Sequence, residues 1–281
     1  MWALLTADLV AVLVVYSLVD PGRLNAVHER GLHGGLSRAL VQLDFPHIAG
    51  AAIPLALLAM DALPRRAWVV AAPAIALCAF IAWPGVVDQN HLEGKPENVI
   101  PAVGVGLVLA LTIGAARASS ASFAPRRGGD LLRVAIAAVV VLASLPWIFA
   151  DVGVHLPQGL FMTTKLYAEP GHPPTASVHL GFHHGLMGAL LVLSALLLSR
   201  QRLTARFLRN AYAVLVSLML AYGAANMTND FWHEQIVKRG WTSWNFPSAL
   251  QPGVRPIWGV MLATTLALYL LGFARPQPDP R

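Results

Sequence analysis

A single cysteine, Cys78, occurs in the whole chain, and it lies inside an apolar block. That excludes an intramolecular disulfide and a thiolate metal cage. Charge is also scarce. Asp, Glu, Lys and Arg make up 12% of the residues against 56% hydrophobic ones, about half the charged fraction of an ordinary soluble domain. No Walker loop, dinucleotide-binding glycine fingerprint or G-x-S-x-G nucleophile elbow is present, so nucleotide-dependent and serine-hydrolase chemistry have no support. His28-Glu29-Arg30-Gly31-Leu32-His33 spaces its histidines one residue too widely for the H-E-x-x-H zinc-protease helix, whose ligands must be four apart.

What the chain has instead is apolar blocks long enough to cross a hydrocarbon core, which takes roughly 17 to 25 residues per helix. The hydropathy pattern predicts helices at 2–19, 47–63, 67–86, 99–116, 131–150, 180–199, 205–225 and 257–274. The first block lacks the basic leader and small-residue cleavage site of a removable signal peptide and is expected to be a permanent span. The expected fold is therefore an all-α, multi-pass membrane protein of about eight spans, with the lipid bilayer as its partner and no appended soluble domain.

The pI near 10 does not point to nucleic acid, because the basic residues fall in short clusters between apolar blocks rather than along one polar face. Arg65, Arg66, Arg117, Arg126, Arg127, Arg200, Arg202, Arg206 and Arg209 occupy the turns after spans two, four and six. The positive-inside rule makes those turns cytoplasmic, with both termini. Segments 20–46, 87–98, 151–179 and 226–256 then face outward. On this topology the inner side holds twelve Lys and Arg against four acids, the outer side eight against ten, and all ten histidines lie outside or at outward helix mouths. Trp83, Trp147, Trp232, Trp241, Trp244 and Trp258 also fall near the outer boundary, as an interfacial aromatic belt would. Segment 24–43 has the spacing of an amphipathic surface helix.

Two stretches read V-x-P-x-x-G-V-x-L: Val99 to Leu107 opening span four, and Val254 to Leu262 opening span eight. Asp88-Gln-Asn-His91 follows span three and Asp230-Phe-Trp-His233 follows span seven. Phe45-Pro-His47 and Phe182-His-His184 open spans two and six, and Asp20 and Asp151 end spans one and five. The recurrence in one order predicts two tandem four-helix units, residues 1–120 and 121–281. An even number of crossings relates them by an axis normal to the membrane.

Helical spacing groups Asn226, Asp230 and His233 on one face, then His179 with His183, and Asp44 with His47. Imidazole with carboxylate is the ligand set of zinc, or of non-haem iron where positions stay open. A dication also offsets the cost of placing acids near hydrocarbon. The metal set is His47, His91, His179, His183, His184, Asp230 and His233, with Asp44, Asp88 and Asp230 as acid–base candidates. His28, His33, His155 and His172 lie in long connecting segments, and the Pro/Gly-rich stretch 151–177 is either a lid or a disordered loop. Asp8 and Asp61 are the acids of the inner half-spans.

His28-x4-His33 and His179-x3-His183-His184 resemble two of the histidine boxes of membrane desaturases and hydroxylases. The third box is missing, and the family's boxes face the cytoplasm. The layout of two four-helix bundles with outward histidines is similar to that of heme A synthase, with Asp44-x-x-His47 standing where that family has an acid-x-x-His motif. Spans four and eight lack the second histidines of that family.

Three functions follow as expectations. The first is a membrane metalloenzyme with an outward His/Asp centre acting on a lipid-like or other hydrophobic substrate, by hydrolysis before oxidation, since nothing here binds flavin or nicotinamide. The second is a haem-binding oxidoreductase ligated through His47, His91, His184 and His233. The third is a metal or proton transporter or an assembly factor.

Overall fold

The computed structural model describes residues 45–82, 99–118, 128–151, 184–248 and 255–273, with the short pieces 166–167 and 175–176 and the single positions Thr6 and Val10. Seven α-helices fall within them: α1 (Phe45–Ala62), α2 (Trp68–Ala79), α3 (Val99–Ala118), α4 (Asp130–Asp151), α5 (His184–Leu198), α6 (Arg206–Trp232) and α7 (Pro256–Gly272). Short 3-10 turns precede and follow α2, and a π-helical turn, His233–Val237, prolongs α6. Leu166–Tyr167 and Thr175–Ala176 form a two-residue antiparallel ladder, Leu166 opposite Ala176. That ladder lies within the stretch expected to be lid or loop. The expected first span apart from Thr6 and Val10, the helix at 24–43, Trp83 and histidines 28, 33, 155 and 172 lie outside the described residues.

Three helical segments are long and apolar enough to cross a membrane: Ile100–Ala118, Asp130–Phe149 and Arg206–Val237. Ile48–Ala62, Gly185–Leu198 and Pro256–Gly272 are shorter and also apolar. Large aliphatic side chains stand exposed along α4 (Leu131, Val134, Val139, Leu142) and α7 (Val260, Leu262, Leu266, Leu271). Such faces suit hydrocarbon and are costly in water.

α1 is the hub, packing on α2, α3, α5 and α6. Its buried Ile48, Ala52 and Ala56 meet Val105 and Val108 of α3 and Tyr212 and Val216 of α6 in one core. α5 and α6 cross closely. A Cβ on Gly188 would stand 2.5 Å from the carbonyl oxygen of Gly223, and one on Gly223 would stand 2.6 Å from that of Gly188. Within hydrocarbon, backbones approach this closely only through small residues.

At one end of the bundle the connections are tied by polar contacts. Asp61, at the end of α1, accepts hydrogen bonds from the backbone N–H groups of Thr204 (2.7 Å) and Ala205 (2.9 Å). Its carboxylate therefore sits at the positive end of the α6 dipole. Asp130 lies between Arg133 and Arg200, each 3.1 Å away, and Arg133 reaches Ser199 at 2.8 Å. Arg65, Arg66, Arg117, Arg202, Arg206 and Arg209 stand at this same end. The opposite end carries the starts of α1, α3, α5 and α7 and the ends of α4 and α6.

The two copies of V-x-P-x-x-G-V-x-L are packed differently. Gly104 is pressed on α2, where a Cβ would lie 2.7 Å from the backbone nitrogen of Cys78, and Val105 is buried. Gly259 has nothing within 4 Å, and Val260 is exposed. The motif turns its glycine face inward in α3 and outward in α7. The α1–α3 contact is extensive, whereas α5 and α7, its counterparts, make no comparable contact among the described residues.

Candidate functional site

Span seven is expected at 205–225, with Asn226, Asp230 and His233 projecting together from its outer end. The helix instead continues through Trp232 and winds on as a π-turn to Val237. At 1.5 Å per residue, its 32 residues extend roughly 48 Å, well beyond a ~30 Å hydrocarbon core. The polar residues belong to the helix because α5 covers them.

Asn226, Asp230, Glu234 and Lys238 follow one another at four-residue steps along α6 and its extension. In a regular α-helix each such step drifts by about 40°. Glu234 is nevertheless buried at the start of the π-turn, as is Gln235 beside it. Asn226 is 2% exposed and Glu234 3%. Asp230 reaches across to α5, where its Oδ2 accepts the backbone N–H of Gly185 at 2.9 Å. The carboxylate thereby satisfies one of the free donors in the first turn of α5 and faces the positive end of its dipole. Glu234 is paired through Oε1 with Lys238 Nζ at 2.6 Å. Its Oε2 and the Oδ1 of Asn226 are buried without a hydrogen-bond partner. Two open oxygens so close to a buried carboxylate leave this stretch short of donors or of positive charge.

Trp147 of α4 forms the wall of the site. Its indole lies against Gly185, leaving no room there for a Cβ, and it is 1% exposed. The expected place of Trp147 in an aromatic belt is thus corrected: it is a core residue. Sequence alone marks it as boundary-level, and only the missing Cβ of Gly185 lets it turn inward.

Of the residues singled out in the sequence, Asp230 belongs to this buried column. His233, three residues further on, is exposed, and its Nδ1 lies 3.2 Å from Asn245 Oδ1 in the segment following the π-turn. His47 and His184 are placed by their backbone only, in the first turns of α1 and α5, at the same end of the bundle as Asp230. Asp44, Asp88, His91, His179 and His183 lie outside the described residues. Among the described residues no three His, Cys, Asp or Glu side chains converge in a metal-binding group. Glu234 and Lys238 were missed by sequence reasoning. The signal was present in their four-residue spacing from Asp230, but it was hidden by the assumption that the span had ended. Comparison of the chain with profiles of protein families, with curated proteins and with solved structures returns no match.

Proposed function

We propose that this chain is a multi-pass membrane protein of eight spans, termini on the cytoplasmic side, whose acid- and histidine-bearing end is an outward-facing centre for a divalent cation. The centre uses zinc or non-haem iron to activate water against a lipid-like or other hydrophobic substrate. The observation that supports this reading is the buried column Asn226–Asp230–Glu234, with open oxygens on Asn226 and Glu234. Lys238 pairs with Glu234 Oε1 and leaves Oε2 open. Open oxygen acceptors on Asn226 and Glu234 beside the Asp230 carboxylate, in an apolar helix end, favour a bound dication. The nitrogen ligands would come from His47, His91, His179, His183, His184 and His233, and Asp44, Asp88 and Asp230 would hold or move protons. A divalent cation supplies a water whose pKa is lowered towards neutrality. Hydrolysis is preferred to oxidation because it requires no electron delivery to the outer side.

Haem ligated by His47, His91, His184 and His233 is the alternative. Transport has less support. Asp61 and Asp130, the acids at the arginine-rich end among the described residues, are both engaged with neighbouring groups. The tandem arrangement of units 1–120 and 121–281 rests on the sequence correspondences, and superposing α1–α3 on α5–α7 tests it.

The deciding experiment is elemental analysis with an absorption spectrum on detergent-purified protein, comparing wild type, E234Q and an H47A/H184A/H233A variant. Stoichiometric zinc or iron that is lost in the variants supports the metal centre, and a Soret band replaces it with haem. Wild type free of both after metal supplementation refutes each cofactor reading and leaves a non-catalytic binding or transport protein.

A further inference from the structure

Beyond the π-turn the chain turns back on itself. Gly240 has φ +79°, a left-handed backbone that favours glycine. Its N–H donates to the Val237 carbonyl at 2.8 Å, and the N–H of Trp241 to that of Ile236 at 3.3 Å, which closes the helix. Residues 241–246 then fold back beside the end of α6. Trp232 Nε1 donates to the Trp244 carbonyl at 2.9 Å and Asn229 Nδ2 to that of Phe246 at 2.6 Å, and His233 meets Asn245. Trp244 packs edge-on against Trp232 and Phe246, with ring centroids 5.3 and 6.1 Å away. The guanidinium of Arg239 lies over the Trp241 ring, 5.7 Å from its centroid. This is a built element, held by side chains of α6.

Its outer surface is nevertheless aromatic: Trp241 is 71% exposed and Trp244 55%. Two exposed indoles beside an arginine are a poor surface for bulk water and a good one for a phospholipid headgroup layer. There the ring bodies meet the glycerol and upper acyl region, the indole N–H groups find ester and phosphate oxygens, and the cation meets phosphate. Position points the same way. The hook begins three residues after Val237, where the apolar segment Arg206–Val237 ends, and Lys238 and Arg239 directly precede it in the chain.

We infer that Gly240–Phe246 is an interfacial hook that seats the end of α6 in the phospholipid headgroup layer and so fixes the depth of Asp230 and Glu234. The inference does not depend on whether that site holds a metal. It uses only the exposed rings, the bonds that hold the hook and its place at the end of an apolar segment.

The test is W241C and W244C in the full chain, each reconstituted in phosphatidylcholine nanodiscs and labelled with an environment-sensitive thiol fluorophore. Cys78 is fully buried between α2 and α3, so the introduced thiol is the accessible one. The expected result is several-fold stronger quenching by nitroxide at the headgroup or first acyl carbons than by aqueous iodide or by nitroxide deep in the chains. Dominant iodide quenching would place the surface in water. Protection from every quencher would place it against protein, and either result overturns the proposal. N229A/N245A, which releases the hook from α6, is expected to erase the contrast at both labels, and an unchanged contrast overturns the seating role.

Discussion

Asp230 has two possible duties, capping α5 and serving a ligand, and substitution separates them. Asp230→Ala removes the acceptor of the Gly185 N–H and should lower stability by about 1–2 kcal/mol, as loss of a helix cap does. Asp230→Asn keeps an acceptor oxygen and should cost less, measured by thermal unfolding in detergent. If the cap is the only role, ligand content follows stability across the two variants; in the proposed centre Asp230→Asn loses metal while remaining nearly as stable as wild type. The Glu234–Lys238 pair invites a different comparison. Either Glu234→Gln or Lys238→Met leaves a largely buried partner uncompensated, and breaking such a pair costs up to about 3–5 kcal/mol. Lys238 retains some exposure, which places the expected loss below that range. The double variant should be more stable than the sum of the single losses predicts. Additive losses in chemical unfolding would show that the two groups do not act on each other.

Among the elements, the glycine crossing of α5 and α6 sets the geometry on which the site depends. Gly188→Ala or Gly223→Ala forces a methyl group into backbone, and overpacking of this kind costs about 1–3 kcal/mol. Gly259→Ala in α7 meets nothing within 4 Å, and higher helix propensity should leave stability unchanged or raise it by up to about 1 kcal/mol. Unfolding midpoints of the three variants check both statements; equal losses at all three positions would remove the packing argument. These glycines also show what the sequence discloses and what it withholds. The seven described helices were readable to within a few residues at most of their described ends, because a long apolar block carries its own signal. Pairing between blocks carries no such signal. Gly104 and Gly259 occupy the same place in the same motif, yet one is crushed against α2 and the other is open. The end of α6 was misread for the same reason: Asn226 and Asp230 are polar, and only the presence of α5 makes them interior. The π-turn that prolongs α6 to Val237 has no signature in hydropathy at all.

For the whole molecule, the two ends of the bundle differ in kind. One gathers Arg65, Arg66, Arg117, Arg133, Arg200, Arg202, Arg206 and Arg209, with Asp61 and Asp130 engaged in tying helices together. The other carries Asp230, Glu234 and the aromatic hook, with Lys238 already paired. An excess of arginine in short loops retains them on the cytoplasmic side during insertion, so the site and hook are expected to face outward. Cysteine scanning can read this directly, since Cys78 is buried and the exposed positions Arg202 and Ser243 mark the two ends. In intact cells a membrane-impermeant maleimide should label S243C and spare R202C, with R202C labelled only after permeabilisation. The reverse pattern would place the acids and the hook on the cytoplasmic side. An outward centre drawing substrate from the outer leaflet would then be excluded, while the packing of the helices, the cap on α5 and the seating of the hook in a headgroup layer would stand.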